Sequence, residues 1–334
     1  MADDAQAALF PDVERHVGRG EFRGMEFLHV KARSIINTLA ASSRLPFRHT
    51  INAYRGCSHA CTYCFARPTH DYLGLDIGEG FERQVVVKVN AVDRLRAELD
   101  PRRWCGEPIA MGTNTDPYQR AEGKYHLTRG LVGELGRARN PFSILTKSTL
   151  VLRDADVLAE AAERTDVTVS FSVGTLDEEV WRATEPGTPP PWKRLEALAT
   201  LREKGLSCGV LVAPVLPGLS DSAESLDAVV AAATEAGATS VSGGMVVYLK
   251  PGVREVFLGH LATTHPDLVP RYEAMYRGVN APSSERARVA AHLQDALARH
   301  RPRAVAPPRA RPHRDPPPPR PTPRPPAEQL GLGV

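Results

Sequence analysis

The chain has 334 residues, 42% of them hydrophobic and 24% charged, enough for one large α/β domain or two smaller ones. No run of eighteen apolar residues occurs, and the opening MADDAQAALFPDVERH lacks the basic-then-apolar order of a signal peptide; a cytoplasmic protein without a membrane segment is predicted. The formal net charge of +3 is unevenly placed: residues 301–334 carry seven arginines against Asp315 and Glu328, leaving residues 1–300 near neutral and without support for an extended phosphate-binding face.

Residues 1–45 read as an N-terminal extension packed on the main domain, with Phe27, Val30, Ile35, Ile36 and Leu39 partly at helical spacing. Residues 46–300 read as the main domain, where strand-like and helix-like runs alternate. The first strand is HTINAY (49–54), followed by a cysteine-rich loop, and IAMGT (109–113) is the second. Leucines at 127, 131 and 135 mark a helix. FSILT (142–146) is the third strand, and a helix follows near Arg153 with Asp154 and Asp156 at its start, where the helix dipole favours acids. VTVSFSV (167–173) is the fourth strand. A helix with proline in its first turn follows over 191–204, closed by Gly205. CGVLVAPV (208–215), a helix over 222–236 and SVSGGMVVYL (240–249) complete the series, with helices to about Arg299. Six strand-then-helix units predict a parallel sheet with right-handed crossovers, and so an α/β fold of the open, partial (β/α)6 TIM-barrel type.

Residues 301–334 hold twelve of the 29 prolines and almost no apolar side chains, which predicts a disordered basic tail with polyproline II character. Weak electrostatic contact with nucleic acid or another acidic partner is the functional reading of this tail.

Three of the five cysteines fall within eight residues, in Asn52-Ala-Tyr-Arg-Gly-Cys57-Ser-His-Ala-Cys61-Thr-Tyr-Cys64. The clustering and the odd total argue against a disulfide framework. Three thiolates at C-x3-C-x2-C can converge on one iron–sulfur or zinc centre. A fully ligated 4Fe–4S cube takes four cysteines. Cys105 precedes the second strand and Cys208 begins the fifth, so both belong at the opposite end of the barrel from the loop. One iron is therefore expected to stay open for a small molecule. The alternative is zinc with His59 as fourth ligand, which would make the chain a non-catalytic, zinc-stabilised binding module. Structural zinc, however, usually joins ligand pairs on separate segments.

The loop's C-x3-C-x-aromatic-C pattern, carried by Cys57, Cys61, Tyr63 and Cys64 after a first strand, resembles the signature of the radical S-adenosylmethionine (radical SAM) superfamily. Asn52 through Cys57, with Gly112-Thr-Asn-Thr-Asp-Pro-Tyr-Gln119 and Glu122, is similar to the branch containing spore photoproduct lyase. More closely, it resembles an actinobacterial set, the Rv2578c-like proteins. The resemblance covers about residues 25–300. It implies a 4Fe–4S cluster on Cys57, Cys61 and Cys64, S-adenosylmethionine on the open iron, and a 5′-deoxyadenosyl radical that takes hydrogen from substrate, in lyase-like chemistry. It also implies a reducing partner such as flavodoxin or ferredoxin, and a substrate related to nucleic acid.

For the cofactor, the resemblance assigns Tyr63 to the adenine side and Gly112, Thr113, Asn114 and Thr115 to the methionine amino group. That stretch departs from the family's usual Gly-Gly-Glu. Ser170 and Ser172 share one strand face and would meet ribose or carboxylate, or else bond interior backbone. Val212 and Pro214 would line the adenine pocket or the core. Lys147 and Arg194 would meet the cofactor carboxylate, although Arg194 also reads as a solvated helix charge. Asp116, Tyr118, Gln119 and Glu122 beyond the second strand, and Tyr248 and Lys250 ending the sixth, would face substrate; Asp116-Pro117 also reads as a turn.

Overall fold

The structure, a computed structural model, describes residues 13–43 and 45–300. The predicted disorder of 301–334 falls outside these residues. The strands are β1 (Glu14–Val17), β2 (Glu26–Val30), β3 (Ile36–Thr38), β4 (His49–Ile51), β5 (Tyr54–Arg55), β6 (Gln84–Lys88), β7 (Ile109–Met111), β8 (Phe142–Thr146), β9 (Val167–Ser172), β10 (Ser207–Val212) and β11 (Ser240–Gly243). They form two sheets. The larger has the order β11-β10-β9-β8-β7-β4-β3, and all its pairings are parallel except β3 with β4. Its six parallel strands fall on the six runs read from the sequence, with β10 beginning one residue earlier, at Ser207, and the sixth ending at Gly243. The fold is α/β, an open barrel that ends at β11 on one side and β3 on the other.

Strand alternation gives this sheet two different faces. Ile109, Met111, Phe142, Ile144, Val169, Phe171, Cys208 and Val210 point outward and are buried in the main core. Five helices cover them, α1 (Ala91–Glu98), α2 (Leu127–Arg137), α3 (Ala155–Arg164), α4 (Pro191–Glu203) and α5 (Ala223–Glu235). A sixth, α6 (Ser283–His300), packs on α5 through Val289, Leu293 and Ala296. Ser222 caps α5 by accepting from the Ser225 amide at 3.1 Å. Pro191 opens α4, where a missing amide proton costs nothing.

The inner face is of another composition. In register across the strands run Thr50, Ala110, Ser143, Thr168 and Ser207, then Leu145, Ser170, Gly209 and Ser240, then Ser172, Leu211 and Ser242. Most of the hydroxyl residues among them are exposed or half-buried. The outward face thus carries the hydrophobic stabilisation, and the inner face is a hydroxyl-lined trough.

The N-terminal segment departs from its expected helical spacing. Residues 26–30 are strand β2, with Phe27 and Val30 buried on opposite faces. β2 pairs antiparallel with β1 and parallel with β6, and β5 closes this smaller sheet in the order β1-β2-β6-β5. The reason is tertiary. Three valines at 85–87 supply a fully buried partner strand that the local pattern of residues 25–39 cannot reveal. The predicted run 49–54 is likewise divided: β4 belongs to the large sheet and Tyr54–Arg55 to the small one. The cysteine loop therefore leaves from a junction between the two sheets.

Candidate active site

The loop that follows β5 is held by its own backbone and by three buried side chains. The Cys57 amide donates to the Phe81 carbonyl at 2.9 Å, and Thr62 N to Thr184 O at 2.9 Å. Arg67 is fully buried, and its guanidinium donates to the carbonyls of Cys61 (3.0 Å), Ile77 (3.0 Å) and Gly78 (3.0 Å) and to Glu82 at 2.5 Å. The Gln119 amide group donates to Gly56 O and Thr115 Oγ1, each at 2.8 Å, while its oxygen accepts from Ser58 N at 3.1 Å. Thr115 Oγ1 donates to Gly56 O at 2.7 Å. Gly187 donates to the His59 carbonyl at 3.0 Å, and a Cβ on it would overlap the Ser58 carbonyl, so only glycine fits there.

Cys57 and Cys61 are buried and Cys64 is half-buried. Phe81 and Ala66 pack on Cys57, Tyr63 and Val180 belong to the cluster of Cys61, and Cys64 touches both groups. Burial pushes the Cys61 thiol well above its usual range, reinforced by Glu185 and by the other two thiols. Burial and then Cys57 push Cys64 up to about 11. Three soft donors that repel one another's charge in a shielded site suit a cationic centre that accepts all three as thiolates. Cys105 is exposed before β7, and Cys208 points from β10 into the core among the helices. The site therefore offers three cysteines, the number that a 4Fe–4S cluster with one open iron requires.

His59 is buried beside Cys57, with Nδ1 3.3 Å from Asp116 Oδ2. Burial disfavours its charge, but Asp116 and Cys57 outweigh that and push its pKa up to about 10. The ring is thus engaged by Asp116 on one side and by Cys57 on the other.

On the barrel side of the loop lies a buried polar cluster. Lys147 Nζ donates to Ser172 Oγ at 2.5 Å and lies 3.1 Å from Glu185 Oε1 and 5.8 Å from the Tyr63 ring centroid. The Tyr63 hydroxyl donates to Glu185. Arg194 also pairs with Glu185 and donates to the carbonyls of Ser172 and Pro189, each at 2.9 Å. Arg194 is fully buried, correcting the reading of it as a solvated helix charge. Its position on the first turn of α4 aims it under the sheet's end. Burial alone would raise the Glu185 carboxyl, but Arg194, Lys147 and the Tyr63 hydroxyl hold it well below the usual carboxylate range. The cluster has two cations and one carboxylate, so it carries one net positive charge.

The other residues singled out from sequence are placed as follows. Gly112 has φ +88°, and a Cβ there would overlap the Leu145 carbonyl. Thr113 Oγ1 accepts from Asn52 Nδ2 at 3.4 Å, and Asn114 N donates to Asn52 Oδ1 at 3.1 Å. These two sit half-buried at the mouth of the sheet. Ser170 lines the trough, and Ser172 Oγ also donates to the Ala213 carbonyl at 2.7 Å. Asp116 accepts from Thr146 Oγ1 and Lys147 N, each at 2.7 Å, and from Tyr118 N at 2.8 Å. Tyr118 is buried, and so is Glu122, which accepts from Tyr54, from Thr128 N at 3.0 Å and from Arg153 at 2.9 Å. Asp116, Gln119 and Glu122 thus have their oxygens engaged within the protein. Val212 lies in the outward core, and Pro214 follows a cis peptide bond at the end of β10. The sixth strand ends at Gly243, because the chain turns off through Gly243 and Gly244 at positive φ, so Tyr248 and Lys250 do not end it as expected; Tyr248 is half-exposed and forms an isolated bridge with Asn280.

Sequence reading missed Glu185. Its available signal was an acid in Glu185-Pro-Gly-Thr188, the tight connection between the fourth strand's short helix (Glu178–Thr184) and α4.

Comparison with known proteins places this geometry. The profile of the Radical SAM superfamily matches residues 51–229. The chain is 46% identical over 288 residues to the uncharacterized protein Rv2578c of Mycobacterium tuberculosis, covering 86% of this chain and 84% of that one. It is 30% identical over 198 residues to the uncharacterized protein MJ0683 of Methanocaldococcus jannaschii, covering 59% and 70%. Among solved structures, spore photoproduct lyase complexed with dinucleoside spore photoproduct superposes with a TM-score of 0.64 at 16% identity, covering 83% and 80%, a likeness of fold. With the cysteine loop at the mouth of an open parallel barrel and the profile matched across it, the chain belongs to the radical SAM superfamily.

Proposed function

We propose that this radical SAM enzyme removes a hydrogen atom from a polar, uncharged part of its substrate held in the barrel trough. Cys57, Cys61 and Cys64 would hold a 4Fe–4S cluster, with S-adenosylmethionine at the iron they leave open. When bound and reduced by one electron, the pair supplies carbon–sulfur cleavage to methionine and a 5′-deoxyadenosyl radical, which becomes 5′-deoxyadenosine on taking the substrate hydrogen. The observation that carries the reading is the donor set, three cysteines on one loop, two buried and one half-buried, with no fourth beside them.

The chain's own residues have definable parts in this. Lys147 and Arg194, neutralised only in part by Glu185, favour the cofactor's carboxylate. Thr113, Asn114 and Asn52 present oxygens for its amino group. Tyr63, pinned by Glu185, forms a fixed wall beside Cys61. Ser170, Ser240 and Ser242 offer hydrogen bonds but no charge, so a nucleoside portion suits the trough better than a phosphate does. The dinucleoside spore photoproduct complexed with spore photoproduct lyase is a ligand of this kind.

Anaerobic purification should yield a brown protein with about four irons per chain. Dithionite with S-adenosylmethionine should release 5′-deoxyadenosine. A colourless protein that takes up only zinc would overturn the assignment. Binding to DNA or RNA that is absent even at low salt would remove the nucleic-acid reading alone.

A further inference from the structure

The β1–β2 ladder carries a second group of metal-type donors, distant in sequence from the cysteines. Register places Glu14 opposite His29 and His16 opposite Phe27, so the side chains of Glu14, His16 and His29 share one face. The two imidazole centroids are 3.9 Å apart. Glu14 Oε2 is 3.5 Å from His16 Nε2. One ligand atom from each of the three residues lies within 4.8 Å of the other two. His16 Nε2 is shielded from solvent and has no hydrogen-bond partner among the described residues. His29 Nε2 meets the Tyr125 hydroxyl at 2.7 Å, which orients the ring and leaves Nδ1 for a ligand.

We propose that Glu14, His16 and His29 form a site for one borderline divalent transition ion, zinc(II) or its neighbour cobalt(II). Two imidazole nitrogens and one carboxylate oxygen are a donor set of that class. Tyr125 is the outer partner that fixes the His29 ring. Burial, then His16, lower the pKa of His29. Lys124, which lies over the Phe27 and Tyr125 rings, also disfavours a proton on His29, while Glu14 supplies the opposing negative charge. A bound ion would staple β1 to β2 and, through Tyr125, tie both to the turn Glu122–Tyr125 that follows Gln119 of the cysteine loop's support.

The test is calorimetric titration of zinc(II) into the tag-free, cluster-loaded full chain, repeated with cobalt(II) read by its visible spectrum. One saturable site beyond the cluster is expected. His16→Ala and Glu14→Gln should each weaken it by about tenfold or more, and Tyr125→Phe by about tenfold. Glu14 is largely exposed, so its replacement leaves the fold intact. Wild-type protein that shows no saturable binding, or binding unchanged in the Glu14→Gln, His16→Ala double variant, would overturn the proposal.

Discussion

Taking one thiol from the loop lowers the ligand count without removing what holds the loop in place. Arg67, Gln119 and the Thr62–Thr184 backbone bond remain. Cys61→Ala is therefore expected to lose bound iron and 5′-deoxyadenosine formation while keeping its far-ultraviolet circular dichroism and melting cooperatively. A variant that unfolds would argue instead for a centre that supplies the folding energy itself. Away from the site, Lys88 is a buried cation on β6. Burial and the neighbouring Arg55 lower its pKa to about 8, and Glu98 offsets this in part. Because the folded value lies below the unfolded one, the protonated side chain destabilises the fold fully below pH 8, and the cost fades between pH 8 and about 10.5. Lys88→Met should raise stability at pH 7 by up to about 3 kcal/mol, with the advantage over the parent shrinking as pH rises through that window, as denaturant melts at both pH values would show. The cysteines were legible as ligands because their spacing is itself the chemistry. Glu185 was not, because what marks it is its meeting with Lys147, Arg194 and Tyr63, three residues from three other segments.

Elements were legible where periodicity and packing agree. The six parallel strands carry their outward apolar faces, and helices α2 to α5 the apolar faces that cover them, in the local pattern, and Leu198 of α4 is fully buried as that pattern requires. The small sheet was illegible for the opposite reason. β2 finds its partners at β1, close by, and at β6, more than fifty residues away, and only that pairing converts a run with mixed spacing into a strand. β5 is two residues long and carries no periodic signal at all. The element that fixes the loop from outside is the turn at Gly187. Gly187→Ala forces the Ser58–His59 backbone away, so iron content should fall several-fold with the barrel intact; unchanged iron per chain would show that the contact does not set the loop's position.

For the molecule as a whole, the division of labour between the sheet's two faces separates stability from substrate contact. Ser170→Val and Ser242→Val alter the trough and leave the outward core untouched. These variants should melt within about 0.5 kcal/mol of the parent and still cleave S-adenosylmethionine, yet transfer less deuterium from labelled substrate into 5′-deoxyadenosine. Equal loss of both reactions would place the serines at the cofactor instead.

The sheet's failure to close has its own consequence, which concerns entry. β11 and β3 form its two margins and do not pair with each other. A sealed cylinder admits a molecule only end-on, through its rim. An arc whose margins stay unpaired among the described residues also has a flank, and on the nucleic-acid reading proposed above a unit in the middle of a long polymer would be laid in from there with its neighbours left outside on either hand.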